Sequence, residues 1–148
     1  MSNFPVYVIT GGPGAGKTTA LNVIPEWLHN IGFNSLVCSE SATELLLAGV
    51  KKQIKDIDWA IFQEHLLRLQ IERENLYRSL LSKFRRPKKV LLCDRGAMDA
   101  KAYLEPGEFE KIIKRLGYAI TDIRDKRYDA VFHLVTAADG AEEYYTLD

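Results

Sequence analysis

Val6-Tyr7-Val8-Ile9-Thr10-Gly11-Gly12-Pro13-Gly14-Ala15-Gly16-Lys17-Thr18-Thr19 reads as a buried strand, a glycine-rich turn and a helix start. Gly11 to Thr18 fits G-x-x-x-x-G-K-[ST], the signature of a loop that cradles phosphates. Each residue type answers a need of a polyphosphate. Backbone N–H groups must converge on phosphate oxygens, and side chains would block them. Glycines at 11, 12, 14 and 16 remove those Cβ atoms and allow positive φ. Lys17 brings an ammonium to the outer phosphates. The Thr18 hydroxyl can ligate Mg²⁺, and the helix beginning there points its positive end at the anion. The loop residues Gly11, Gly12, Pro13, Gly14, Ala15, Gly16, Lys17, Thr18 and Thr19 are therefore the expected nucleotide-binding set.

The chain has 148 residues, which suits one domain, 1–148. Nearly half the residues are apolar, so a packed fold is expected. Twenty basic and twenty acidic residues cancel, giving no global attraction to nucleic acid or anionic membrane. Met1 to Val8 lacks the basic head and apolar run of a signal peptide, and no stretch is long and apolar enough to span a bilayer. Cys38 and Cys93 make no disulfide framework, so reduced thiols in a cytoplasm are the expectation.

Working outward, Val6 to Ile9 predicts a strand buried on both faces. Lys17 to about His29 predicts a helix with Leu21, Ile24 and Leu28 on one stripe, kinked or shortened at Pro25 and stopped at Gly32. Ser35 to Cys38 predicts a second strand. Ser41 and Glu44 have the spacing of a capping box for a short helix ending near Gly49. Lys51 to Asp56 reads as a loop. Asp58 caps a long helix to about Phe84, with Trp59, Phe62, Leu66, Leu69, Leu76 and Leu80 as its apolar stripe. Arg73 falls in mid-stripe. The stripe is expected to leave the core there, rather than Arg73 turning into a polar cleft.

Val90 to Cys93 predicts a third strand ending on Asp94, followed by a short helix capped by Asp99 and broken at Pro106-Gly107. Phe109, Ile112, Ile113 and Leu116 predict another helix, stopped by Gly117. Ala130 to Val135 predicts the fourth strand. Strands alternating with helices argue for an α/β fold, a parallel sheet with helices on both faces. Ligands bind such sheets beyond the carboxyl ends of the strands. Those ends are Gly11 onward, Ser39-Glu40, Asp94-Arg95 and Thr136-Ala137.

Asp94 closes an apolar strand, where an acid can hold Mg²⁺ or cap the next turn. Arg95 can clamp a moving phosphoryl group, or form a surface ion pair. Glu40 can take a proton from an attacking hydroxyl or fix an acceptor's sugar, or it can cap the helix. Gln63 and Gln70 lie a heptad apart on the border of the long stripe. They can read a base-like ring or form a polar border. His29, His65 and His133 show no ligand spacing, and His133 is expected in the core. Cys38 and Cys93 close strands that could be neighbours, without an expected disulfide. Arg85 to Lys89 reads as a solvated basic turn.

Gly11 to Thr19, then Ser39-Glu40-Ser41-Ala42-Thr43-Glu44, then Asp94-Arg95-Gly96 with Asp99 and Tyr103, then His133 to Ala141 together resemble an AAA-labelled P-loop ATPase family. It is grouped with the nicotinamide-riboside kinase domain of the NAD regulator and with the translocation-defect GTP-binding protein. The resemblance spans nearly the whole chain. It implies a nucleoside-kinase-like, three-layer P-loop NTPase fold with sheet order 2-3-1-4-5. It places Lys17 and Thr18 at the triphosphate and Mg²⁺, and Asp94-Arg95 at acceptor or metal. The resemblance also implies an arginine-bearing lid and a fifth strand, both expected to be missing from residues 1–148, which leaves the order 2-3-1-4.

The resulting expectation is a Mg²⁺-dependent nucleoside triphosphate-binding protein of the small-molecule kinase type, with Lys17, Glu40, Asp94 and Arg95 as catalytic residues and Thr18 and Asp94 at the metal. ATP or GTP is the expected cofactor, and a nucleoside- or nucleotide-like acceptor is expected between Glu40 and Arg95. The alternative is a GTP-binding module that recruits a protein or lipid, although no Asn-Lys-x-Asp guanine reader occurs. A motor-like ATPase is a third reading, for which no arginine-rich subunit contact can be assigned.

Overall fold

The computed structural model describes residues 3–12 and 15–135. Strand β1 is Val6–Gly11, helix α1 Lys17–Asn30, β2 Asn34–Cys38, α2 Ser41–Leu47, α3 Trp59–Ser82, β3 Lys89–Asp94, α4 Glu108–Arg115 and β4 Ala130–Leu134. Two 3₁₀ segments, Val50–Asp56 and Ala97–Tyr103, and a π turn over Asp122–Lys126 lie in the connections.

The four strands pair in parallel in the order β2-β3-β1-β4. β1 and β3 are apolar at successive positions because both their faces are covered. Val6, Val8, Leu91 and Cys93 pack with Phe4 and with Leu81 of α3. Tyr7, Ile9, Val90 and Leu92 point the other way, toward Ile24 and Leu28 of α1. The sheet is thus the middle of three layers, a P-loop-type α/β sandwich. A second cluster joins Leu67 and Ile71 of α3 to Ala97, Ile123 and the α4 residues Phe109, Ile112 and Ile113. Each of the buried Leu, Ile and Phe side chains contributes about 1.5–3 kcal/mol through burial.

Glycines stop two helices by one device. Gly32 has φ 96° and donates its N–H to His29 O at 3.1 Å, while Phe33 N–H reaches Leu28 O at 2.9 Å. Gly117 has φ 91° and bonds Lys114 O, and Tyr118 bonds Ile113 O. Both are Schellman closures. Pro25 does not shorten α1, which runs on to Asn30. Asp58 Oδ1 accepts from Ala60 and Ile61 N–H at 2.9 and 3.3 Å and caps α3.

Several expectations are corrected. The stripe is exposed at its start, Trp59, against expectation, and at Leu76 and Leu80 past Arg73, where departure from the core is expected. The buried α3 residues are Gln63, Leu67, Ile71, Glu74 and Leu81. The buried face is rotated by about one residue, roughly 100°, from the apolar stripe, and two of its members are polar. Lys51 to Asp56 is not an open loop but the body of the first 3₁₀ segment. Ser41 is the first residue of α2 rather than its cap. Glu40 holds the cap position and makes no side-chain capping bond. Asp99 sits inside the second 3₁₀ segment, behind the cap residue Gly96. His133 is exposed on β4, not in the core. β4 pairs only with β1 among the described residues, with Val131 and Phe132 more than half exposed.

Candidate functional site

The carboxyl ends of β1, β2 and β3 converge on one spot. Gly11 ends β1 where an added Cβ would lie 2.6 Å from Leu134 O and 3.1 Å from Ala15 Cβ, so no side chain fits. Gly16, at φ 85°, holds the cap position of α1. The first helical bond runs from Ala20 N–H to Gly16 O at 2.9 Å. The amides of Lys17, Thr18 and Thr19 therefore have no helical acceptor. They border a concavity of about 490 Å³ shared with Gly11, Gly12, Ala15, Gly16 and Arg95. Pro13 and Gly14 lie outside the described residues, as does Thr136-Ala137 at the end of β4.

Lys17, Glu40, Asp94 and Arg95 come together at the edge of this concavity. Lys17 Nζ lies 2.5 Å from Asp94 Oδ1 and 3.5 Å from Glu40 Oε2. The other Glu40 oxygen is 3.1 Å from Arg95 Nε, an ion pair without hydrogen-bond alignment. An Arg95 terminal nitrogen reaches Gly11 O at 3.5 Å. Two acids and two bases thus balance. Glu40 turns toward these cations instead of capping α2.

Arg95 carries a rare backbone. Its φ is 69°, the one positive value at a non-glycine residue among those described. This left-handed geometry costs roughly 1–2 kcal/mol for an L-residue and is held from both sides. Arg95 N–H donates to Ile9 O at 2.9 Å, and Gln70 Nε2 donates to Arg95 O at 3.0 Å. Gly96, next along, meets Val8 so closely that a Cβ would fall 3.0 Å from Cγ2. Asp99 Oδ2 accepts from Gly96 N–H at 3.1 Å and Thr10 Oγ1 at 3.0 Å, fastening the turn to the end of β1.

Beneath the turn lies a buried polar network that sequence reasoning missed. Glu74 is fully buried. Its carboxylate accepts from Arg127 Nε at 2.8 Å, Tyr128 Oη at 2.9 Å and Gln70 Nε2 at 3.2 Å. Arg127 also donates to Ile71 O and Asn75 Oδ1. Tyr128 Oη accepts from Ala97 N–H at 2.8 Å. Burial, then the Glu74 charge, push the Tyr128 phenol well above its ordinary value. Burial pulls the Arg127 guanidinium down, but Glu74 and Tyr128 outweigh it and the net shift is upward. The detectable signal was the phase of α3, since Gln63, Gln70 and Glu74 fall among Leu67 and Ile71.

Arg73 corrects a further expectation. It turns into a polar cleft, donating to Ser39 Oγ at 2.8 Å and lying 3.1 Å from Glu44. That cleft also contains Glu40 and Asp94.

A second cavity, about 310 Å³, opens beside the charged cluster. Glu40, Asp94, Arg95 and Asp99 stand on its lining with Trp59, Phe62, Leu66, Leu67 and Tyr103. Trp59 Nε1 donates to Tyr103 O at 2.6 Å, joining two of its walls. The two glutamines part here. Gln70 is spent on Glu74 and Arg95 O, whereas Gln63 is 3% exposed and lines the cavity.

Among the described residues no group of three His, Cys, Asp or Glu could hold a metal ion. Cys38 and Cys93 are opposite one another in the β2–β3 register, and both are free and buried. Burial pushes the Cys38 thiol up to about 11 and raises Cys93 further. No described helix is long and apolar enough to cross a membrane. A family model described as an AAA domain matches residues 6–146, nearly the whole chain. No curated protein matches the chain. The chain belongs to this AAA domain family, and its sheet and loop are those of a P-loop nucleotide-binding fold.

Proposed function

We propose that this AAA domain protein is a Mg²⁺-dependent small-molecule kinase that uses a nucleoside triphosphate, ATP before GTP. One observation carries the reading. A concavity lined by loop amides and an apolar cavity open on the same cluster of Lys17, Glu40, Asp94 and Arg95. A donor and an acceptor could meet there. A regulatory module needs only the first. Kinship with the nicotinamide-riboside kinase domain belongs to this reading, as does a reducing cytoplasm, which suits two free buried thiols.

The triphosphate would lie on the loop amides and draw Lys17 and Arg95 toward its oxygens. Glu40 would then be free to accept the proton of an acceptor hydroxyl. The hydroxyl oxygen forms the new bond to the γ-phosphorus. The bond to the β–γ bridging oxygen breaks, and the nucleoside diphosphate leaves. Thr18 and Asp94 fit a magnesium ion, which commonly takes one or two carboxylates, a hydroxyl and phosphate oxygens rather than an all-protein cage. Thr18 and Lys17 border the concavity, and Asp94 is bonded to Lys17. When bound, magnesium would supply neutralisation of the phosphate charge, with Thr18 and Asp94 as the residues that would hold it.

The test is Lys17→Ala with calorimetric titration of ATP and GTP. Removing Lys17 deletes a phosphate ligand and leaves Asp94 and Glu40 facing the anion. Affinity or rate should fall by roughly two orders of magnitude. Unchanged ATP binding would remove the proposal, as would a GTP preference with no phosphorylated acceptor.

A further inference from the structure

We infer that the end of the molecule remote from the glycine-rich loop holds a site for a phosphate-type oxyanion, seated on Arg78 and rimmed by the basic turn from Arg85 to Lys89. The site stands apart from the kinase reading and does not rest on it.

A concavity of about 400 Å³ lies where α3 ends and β3 begins. Asn75, Arg78 and Ser79 of α3 line it together with Asn3 and Lys89, and no acid does. Lys89 opens β3 and Asp94 closes it, roughly 17 Å away at the rise of a parallel strand. The concavity is therefore distinct from the nucleotide site.

The charge balance around Arg78 is incomplete. Among the described residues it forms no ion pair. One terminal nitrogen donates to Arg127 O, while Nε is buried and has no hydrogen-bond partner. Glu74, the acid of the buried network, is already held by Arg127, Tyr128 and Gln70. Burial, then the Arg127 charge, pull the Arg78 guanidinium below its ordinary value. That is the behaviour of a cation short of a counter-charge. A buried charged donor left unpaired is costly unless a ligand completes it.

The neighbouring groups suit the same ligand. Asn75 Oδ1 accepts from Arg127, which leaves its amide nitrogen as a spare donor. Ser79 adds a hydroxyl. Lys89 Nζ donates to Ser82 O at 3.0 Å and offsets the negative end of α3. A guanidinium, an amide and a hydroxyl together match oxygens set in several directions, as in a tetrahedral phosphate, better than the two coplanar oxygens of a carboxylate. The stretch from Arg78 to Lys89 also carries Lys83, Arg85, Arg86 and Lys88, all exposed, and no acid. In a chain of zero net charge, this local field gathers anions at one end. A free phosphate compound and a lipid headgroup would both bring the same group to Arg78.

The test is a nuclear magnetic resonance titration of the full 148-residue chain, labelled with nitrogen-15. Inorganic phosphate is added, with acetate at matched ionic strength as the comparison. The Arg78 Nε–H and Asn75 side-chain amide signals should shift saturably with phosphate and far less with acetate. Arg78→Met keeps much of the side chain's length and removes its charge. It should weaken the Asn75 response by roughly tenfold to a hundredfold, the scale of one lost hydrogen bond to a charged group. Shifts at the Lys17 to Thr19 amides report phosphate on the loop and should persist in this variant. If Arg78→Met does not fold, Asn75→Asp, which sets a carboxylate on the lining, is judged by the Arg78 Nε–H signal and the same loss. Sedimentation with phosphatidylcholine vesicles, with and without phosphatidic acid, then separates the sources. Arg78-dependent binding to the acidic vesicles assigns the lipid, and its absence assigns a free phosphate compound. The inference is overturned if phosphate leaves Arg78 and Asn75 unmoved, if acetate acts equally, or if the variant that folds responds like the wild type.

Discussion

Replacing Arg127 by methionine should destabilise the fold far more than a surface arginine would. Arg127 is 9% exposed and Glu74 is 0% exposed, with 2.8 Å between Nε and Oε1. Methionine fills much of the same space, so packing changes little. What is lost is the charge facing a carboxylate that has no access to water. Glu74 keeps the Tyr128 and Gln70 hydrogen bonds, but neither brings a positive charge. Breaking a buried pair from one side costs about 3–5 kcal/mol. At a urea slope of about 1–3 kcal/mol per molar, the unfolding midpoint should fall by roughly 2 M. Adding Glu74→Gln removes the orphaned charge and should return part of the loss, giving a coupling of about 1–3 kcal/mol. The assay is urea unfolding of the wild type, both single variants and the double variant. A loss below about 1 kcal/mol for Arg127→Met, or a double variant equal to the sum of the singles, would refute the reasoning.

Two further outcomes follow from burial and backbone geometry. Gly11→Ala forces a methyl against Leu134 O, 2.6 Å away, and should lower stability by about 1–3 kcal/mol, whereas Gly12→Ala meets nothing within 4 Å and should change it by less than about 0.5 kcal/mol. Thermal melts of the two variants decide, and equal melts would contradict the strand-closing role. For Cys38, the folded thiol is raised from 9.0 to about 11, so the neutral form is favoured by the fold. Its contribution is whole below the unfolded value and is lost as pH climbs through the folded one. Cys38→Ala should therefore flatten the alkaline decline in urea midpoint between pH 9.0 and about 11, and parallel declines in wild type and variant would rule this out.

The sheet was legible because β1 and β3 are apolar at successive positions, a pattern that only two-sided burial explains. The meeting of Lys17, Glu40, Asp94 and Arg95 could be anticipated for a related reason. Parallel strands deliver their carboxyl ends to one edge, so strand-end residues become neighbours whatever their separation in the chain. α3 was harder. Its buried face includes Gln63 and Glu74, and an apolar pattern cannot register polar residues whose partners come from far away. Arg127 and Tyr128 reach Glu74 from more than fifty positions later. The apolar residues Trp59, Phe62 and Leu66 were real signals with another meaning, since they line a cavity instead of the core. Arg73 was misplaced for the same reason. Its partners Ser39 and Glu44 belong to a different segment, and only tertiary structure shows that the cleft exists.

Residue 95 is where the chain's two interests diverge. A glycine would relax into that left-handed bend without complaint, and the braces from Ile9 and Gln70 engage only backbone atoms of residue 95, which a glycine would keep. Selection for heat resistance alone would accordingly tend to erase the arginine, and the survivors would be sturdier proteins without the guanidinium. Persistence of arginine at this bend across natural variants would then record a demand that durability cannot account for.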